Sequence, residues 1–180
     1  MRTLTLLRHA KSGWDDPVAR DFDRALNAKG KRAAATVGRY LRAEDLAFDR
    51  VVASPAVRCV DTLDGVWDGY GRTLHAVWDR RVYLASGATL LDVVHDQPDD
   101  AARVLMCGHN PGLEDLIFLL VPDRADDHLR DSVEEKLPTG SVAELVFDVD
   151  RWADVRPGEG RLTRFVRPRD LDPALGPDPR

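Results

Sequence analysis

The sequence predicts an α/β layered fold with a largely parallel central sheet. Two observations carry this. Short apolar runs suited to buried strands, at residues 2–7, 49–53 and 104–107, alternate with stretches whose apolar residues recur at helical spacing. Three of those strands also lead directly into cationic residues: Arg8-His9, Arg58 one turn into a helix, and His109. Ligands of such folds sit beyond the carboxyl ends of the strands, so three cationic strand ends that converge would make a site.

The elements follow in order. Leu4-Thr5-Leu6-Leu7 is a buried-type strand that ends in Arg8-His9, although an Arg-His pair after an apolar run also suits a solvated strand end. Residues 10–24 form a polar loop, long for a compact domain, and such loops are often functional. Asn27 can cap a helix over 28–44, on which Ala33, Val37, Tyr40 and Leu41 share a face. After the strand at 49–53, Ser54 is the expected N-cap and Pro55 the first residue of a helix reaching about 70. A third strand is expected at 74–78 and a helix at 87–97, capped by Ser86. The apolar strand Val104–Cys107 runs into Gly108-His109-Asn110-Pro111-Gly112 and a helix over 112–121. Residues 122–138 are acidic and irregular with at most a helical turn, and 142–149 and 161–167 pair as a hairpin. The tail from Pro168 to Arg180 holds four prolines and no run able to form a core, so it is expected to be extended or disordered. The domain therefore spans 1–167 and the Pro-rich tail 168–180.

Length and composition narrow the function. The chain has 180 residues, room for one full core. No apolar run approaches the roughly 20 residues that span a bilayer, and Arg8 interrupts the N-terminal apolar run too early for a signal peptide, so a cytoplasmic protein with no membrane role is expected. The net charge of −5 argues against a nucleic-acid partner. It is unevenly spread: residues 1–60 carry +5 and residues 61–180 carry −10, which suits an anionic substrate near the first third. Cys59 and Cys107 form neither a disulfide framework nor a zinc site. A cysteine-phosphatase loop needs Arg six positions on, where Gly65 and Leu113 stand. His75, His95 and His128 lack metal-ligand spacing. Asp148-Val149-Asp150 follows a strand like an aspartate-phosphatase motif, but position 152 is Trp and the segment reads as a strand end.

The converging residues suit phosphoryl chemistry. Arg forks match the equatorial oxygens of a phosphoryl group, so Arg8 and Arg58 would clamp it and stabilise its transition state. His109 would donate a further hydrogen bond. His9 would attack in line through one ring nitrogen while a backbone carbonyl holds its other N–H.

These same residues carry a family resemblance. Leu6-Leu7-Arg8-His9-Ala10 resembles the signature of the histidine phosphatase superfamily, whose members have Arg-His-Gly there. Leu26 with Gly30, Ser54-Pro55 with Arg58, and Gly108-His109 resemble its later segments, in order. Arg-His-Ala-Lys-Ser-Gly-Trp at 8–14, Asp-Phe-Asp-Arg at 21–24 and Gly-His-Asn-Pro-Gly-Leu-Glu at 108–114 are more similar to the SixA branch, the protein phosphohistidine phosphatases. The resemblance covers roughly residues 3–150. It implies a three-layer α-β-α sandwich of phosphoglycerate mutase-like type, with His9 as nucleophile, Arg8, Arg58 and His109 as the phosphate pocket, and no metal or organic cofactor. Ser12 and Asn110 would also contact phosphate, with Arg24 and Lys11 at the pocket mouth.

Larger superfamily members carry a Glu or Asp proton donor after the third strand, but Tyr83 to Leu91 holds no carboxylate. Asp15, Asp16, Asp79 and Glu114 are possible substitutes. An alkoxide leaving group needs an acid, whereas phosphohistidine leaves as imidazole, so a site without one should favour N–P bonds. The expected function is a metal-independent phosphatase acting on phosphohistidine in a partner protein. The alternatives are a phosphomonoesterase of a small phosphorylated metabolite and a non-catalytic phosphate-binding module.

Overall fold

Strand β1 (Arg2–Arg8) is central to the architecture because its side chains feed two separate cores. Leu4 and Leu6 pack into one apolar cluster and Leu7 into the other. Strand β4 (Arg103–Gly108) divides in the same way, Val104 and Met106 against Leu105 and Cys107. This period-two split of a continuous apolar run is what a strand covered on both faces requires. The structure is a computed structural model describing residues 1–15, 17 and 20–177.

The remaining strands are β2 (Arg50–Ala53), β3 (Ala76–Trp78), β5 (Val142–Phe147) and β6 (Arg161–Val166). They form one six-stranded sheet of order β3-β2-β4-β1-β5-β6. The first four strands in that order run parallel, and β5 joins β1 antiparallel and continues into β6 as the expected hairpin. The sheet is thus mixed, flanked by helices on both faces. Helices α1 (Ala28–Ala43) and α2 (Val57–Tyr70) cover one face, and α3 (Gly87–His95) and α4 (Gly112–Leu120) the other. Helix α5 (His128–Glu135) falls within the stretch expected to be irregular. Among the described residues no helix is long and apolar enough to cross a membrane.

Register is what brings the strand ends together. Arg8 lies opposite Gly108 and Ala53 opposite Cys107. One or two steps beyond those pairs the chain reaches His9, His109 and Ser54 on three adjacent strands. Helix α2, which carries Arg58, is seated by close packing on α1. A Cβ on Gly38 would sit 2.0 Å from the Val66 carbonyl oxygen, and one on Gly69 would sit 2.1 Å from that of Ala35, so only glycine lets these backbones approach.

Two local expectations need correction. Ser54 does not cap α2, which starts at Val57 after Ala56; its Oγ instead accepts the Ala56 N–H at 3.2 Å and reaches toward His109. The tail is not extended or disordered over its described part. Pro168–Leu171 form a short helix, α6, followed by a 3-10 turn at Pro173–Leu175, and both lie against α1. Proline presets the dihedral of a first helical position, and Leu171 packs onto the α1–α2 core, so few apolar residues suffice to dock the segment.

Candidate active site

Arg8, His9, Arg58 and His109 come together at the carboxyl end of the parallel strands. His9, Arg58 and His109 are only 7%, 2% and 3% exposed. The His9 and His109 ring centroids lie 5.3 Å apart. His9 Nδ1 is 2.7 Å from the carbonyl oxygen of Ala10. A carbonyl can only accept, so Nδ1 carries the hydrogen and Nε2 keeps its lone pair. The backbone here is tied down: the Ala10 N–H donates to Thr62 Oγ1 at 2.9 Å, and that hydroxyl donates to the Arg58 carbonyl at 2.6 Å. Burial lowers the His9 pKa to about 3; the Ala10 hydrogen bond opposes the shift, and the charges of His109, Arg58 and Arg8 add to it. His9 is therefore a neutral imidazole at neutral pH.

The cations are held from behind. Arg8 Nη1 donates to the Leu137 carbonyl at 2.8 Å. Burial lowers the Arg8 pKa, the Glu114 charge acts upward, and the Arg58 charge downward. Ser54 Oγ lies 2.8 Å from His109 Nε2, and Tyr83 meets the His109 ring edge-on at 5.4 Å. Arg58 donates through Nη1 to the Asp21 carbonyl at 2.7 Å and through Nη2 to Asp21 Oδ2 at 3.0 Å. Among the described residues five buried side-chain nitrogen or oxygen atoms have no partner, and three belong to this cluster: Arg8 Nε, Arg58 Nε and His109 Nδ1. A buried unpaired donor costs about 1–3 kcal/mol. Three together make a cluster suited to an anion with several acceptor oxygens.

Asp21, which sequence reasoning passed over, is the hub of the surrounding network. Its carboxylate also accepts from Tyr83 Oη at 2.6 Å and from Arg24 Nε and Nη2 at 3.2 and 3.1 Å. Burial pushes its pKa up, but the hydrogen bonds from Tyr83, Arg58 and Arg24 outweigh that and hold it at about 2. Its local signal is the Asp-Phe-Asp-Arg stretch at 21–24, which does not by itself distinguish Asp21 from Asp23. Tyr83 and Thr62 carried no signal, because each enters only through tertiary contacts.

The secondary site residues have protein partners. Arg24 Nη1 donates to Ser12 Oγ at 2.7 Å and its guanidinium lies over the Trp14 ring. Asn110 donates to Glu114 Oε1 at 2.9 Å and to the Leu137 carbonyl at 3.2 Å, and its Oδ1 accepts the Glu114 N–H at 3.3 Å. Of the four carboxylates weighed as acids, Asp16 lies outside the described residues. Asp15 is exposed, and Asp79 caps the turn at Arg80–Val82 and pairs with Arg81. Glu114 Oε1 accepts the Leu137 N–H at 3.0 Å.

Known proteins share this fold. The family model of the histidine phosphatase superfamily (branch 1) matches residues 4–82. The SixA protein of Nakamurella multipartitia is 30% identical with a TM-score of 0.80, over 93% of this chain and 96% of that one. The SixA protein of Agrobacterium tumefaciens is 26% identical with a TM-score of 0.75, over 92% and 97%. An uncharacterized protein of Mycobacterium tuberculosis is 34% identical over 164 residues, 91% of this chain and 100% of the relative. The chain belongs to the histidine phosphatase superfamily and is of SixA type. Phosphatase activity is the function that this membership supports.

Proposed function

We propose that the protein removes the phosphoryl group from phosphohistidine in a partner protein by way of a phosphorylated His9. The observation that supports this best is the buried, neutral His9 with Nδ1–H held by Ala10, surrounded by unpaired nitrogens of Arg8, Arg58 and His109. Nε2 attacks phosphorus in line and the N–P bond to the substrate imidazole breaks. That imidazole leaves with the electron pair and takes a proton from solvent. The two arginines and His109 donate to the equatorial oxygens, where transition-state charge is spread. Ser54 accepts the Ala56 N–H, so its hydroxyl hydrogen is available to His109 Nε2 and directs Nδ1–H toward the anion. Water then attacks the His9 phosphoryl group, releases inorganic phosphate and restores the neutral ring.

The carboxylates favour an N–P bond over an ester. Asp21, the carboxylate bound to Arg58, stays ionised down to about pH 2 and cannot act as an acid near neutrality. The SixA names of the relatives from Nakamurella and Agrobacterium point to the same substrate class. Glu114, whose charge acts on Arg8, is the group that would serve a phosphomonoesterase. Rapid quench with labelled phosphohistidine donor tests the proposal. An acid-labile, base-stable phosphoryl group should appear on wild type and not on His9→Ala. Its persistence in His9→Ala removes the nucleophile assignment.

A further inference from the structure

Two large aromatic side chains beside the catalytic cluster, Phe22 and Tyr83, belong to neither apolar core. Phe22 lies on the 3-10 turn Asp21–Asp23, which buries no residue, and Tyr83 follows the turn Arg80–Val82. Both side chains are half-buried. Their ring centroids are 5.1 Å apart with planes at 78°, so the rings form a corner. The corner continues a series that starts at the nucleophile: His9 to His109 at 5.3 Å, His109 to Tyr83 at 5.4 Å, then Tyr83 to Phe22. Both turns are fastened to the site. The Asp21 carbonyl and carboxylate accept from Arg58, and the carboxylate also accepts from Tyr83 Oη. The Asp79 N–H donates to the Ala53 carbonyl at 2.9 Å, next to Ser54, and the Tyr83 N–H donates to the Arg80 carbonyl at 3.1 Å. The Arg80 guanidinium stands 6.0 Å from the Phe22 ring centre.

We propose that the corner between Phe22 and Tyr83 holds the imidazole ring that leaves the substrate, which makes these two residues specificity-determining. The inference rests on the phosphohistidine reading above and adds what recognises the departing group. In-line attack places the leaving nitrogen across phosphorus from His9 Nε2. His9 is buried, so that nitrogen lies toward solvent, and the half-buried Tyr83 and Phe22 extend the ring series in that direction. Aromatic rings favour edge-to-face and offset-stacked contacts with centroids about 4.5–7 Å apart, and two near-perpendicular rings offer a third flat ring one contact of each kind. The departing imidazole is neutral once its nitrogen has taken a proton. Arg58, whose charge acts on Tyr83, and Arg80 over Phe22 disfavour a cationic group here, so the corner selects a neutral planar ring over an alkylammonium. Packing of the core accounts for neither ring.

The test compares kcat/KM for phosphoimidazole and phosphoramidate, which share the N–P bond and differ in the ring. Phe22→Leu keeps apolar bulk and removes the ring, whereas Phe22→Tyr keeps the ring. Phe22→Leu should lower kcat/KM for phosphoimidazole by about fivefold and leave phosphoramidate within about twofold, and Phe22→Tyr should hold the wild-type ratio of the two. An equal fall for both substrates would mean that the ring only props Asp21 and Arg58. No fall for either would mean that the leaving ring does not touch it. Each of these results overturns the subsite. If wild type turns over neither compound, the phosphohistidine reading itself fails. The corner is then judged by saturation-transfer NMR of imidazole added with inorganic phosphate. A weaker imidazole signal with Phe22→Leu than with wild type supports the subsite, and equal signals overturn it.

Discussion

Replacing Asp21 by Asn changes the support of Arg58 while leaving every proposed phosphoryl ligand in place. The substitution keeps the shape and the main-chain carbonyl that accepts from Arg58 Nη1, but removes the charge that binds Arg58 Nη2 and Arg24 and accepts from Tyr83. The Asp21 pKa falls from 3.8 to about 2, nominally a little over 2 kcal/mol at 1.36 kcal/mol per unit. The carboxylate is 38% exposed, so solvent screening reduces this by about half, to about 1 kcal/mol of stability. Because the folded pKa is depressed, that stability is fully present above about pH 4 and is lost as pH falls through about 2. Urea unfolding at pH 7 should therefore show Asp21→Asn about 1 kcal/mol less stable than wild type, with the gap closing between about pH 4 and pH 2. Arg58 then loses one of its two fixed points, and kcat/KM should fall by about 5- to 30-fold, the equivalent of 1–2 kcal/mol. Tyr83→Phe, which removes one hydrogen bond to Asp21 and keeps the ring against His109, should cost about threefold. An Asp21→Asn enzyme within twofold of wild type and equally stable at pH 7 refutes the positioning role.

Further outcomes follow from the same geometry. The His9 ring nitrogens should show no titration by NMR between pH 8 and pH 5, because its pKa is lowered to about 3; a midpoint near 6.5 would contradict the neutral nucleophile. The unfolded chain takes up that proton near pH 6.5 and the folded chain does not, so wild type should lose stability relative to His9→Asn as pH falls below about 6.5. Glu114→Gln should leave phosphoimidazole turnover within about threefold if no carboxylic acid is needed, and a loss near the 100-fold typical of general acids would assign Glu114 that role. Gly38→Ala, with its Cβ 2.0 Å from the Val66 carbonyl oxygen, should destabilise by about 1–3 kcal/mol in urea melts, and a neutral result would mean that α1 and α2 separate easily.

The parallel strands, the hairpin and the four residues that come together at the strand ends were legible in the sequence, because each rests on a local signal. Apolar runs mark buried strands, and cations mark where those strands end. Antiparallel placement of β5 beside β1 was not legible, since only pairing across more than a hundred residues sets it. Ser54 was misread as a cap because the composition of a strand-to-helix turn is the same whether its hydroxyl serves the helix or a histidine 55 positions away. The tail was misread because disorder follows from composition only when nothing nearby accepts the segment. Here Leu171 finds the α1–α2 core, and Lys29 binds the Gly176 carbonyl.

Two anchors, Asp21 and the Leu137 carbonyl, bear on one problem. Arg8 and Arg58 crowd positive charge around a neutral ring, and the two charges oppose each other within a buried site. Such a cluster needs fixed anchors before a phosphoryl group arrives. Asp21 supplies one for Arg58, and the carbonyl of Leu137 supplies one for Arg8. Leu137 is in turn held through its N–H by Glu114. The two carboxylates nearest these cations are thus both engaged in holding other groups. An ester substrate would require one of them to give up that contact to protonate a leaving group, whereas phosphohistidine requires neither to move. The way in which the arginines are anchored therefore favours an N–P substrate independently of the missing acid after the third strand.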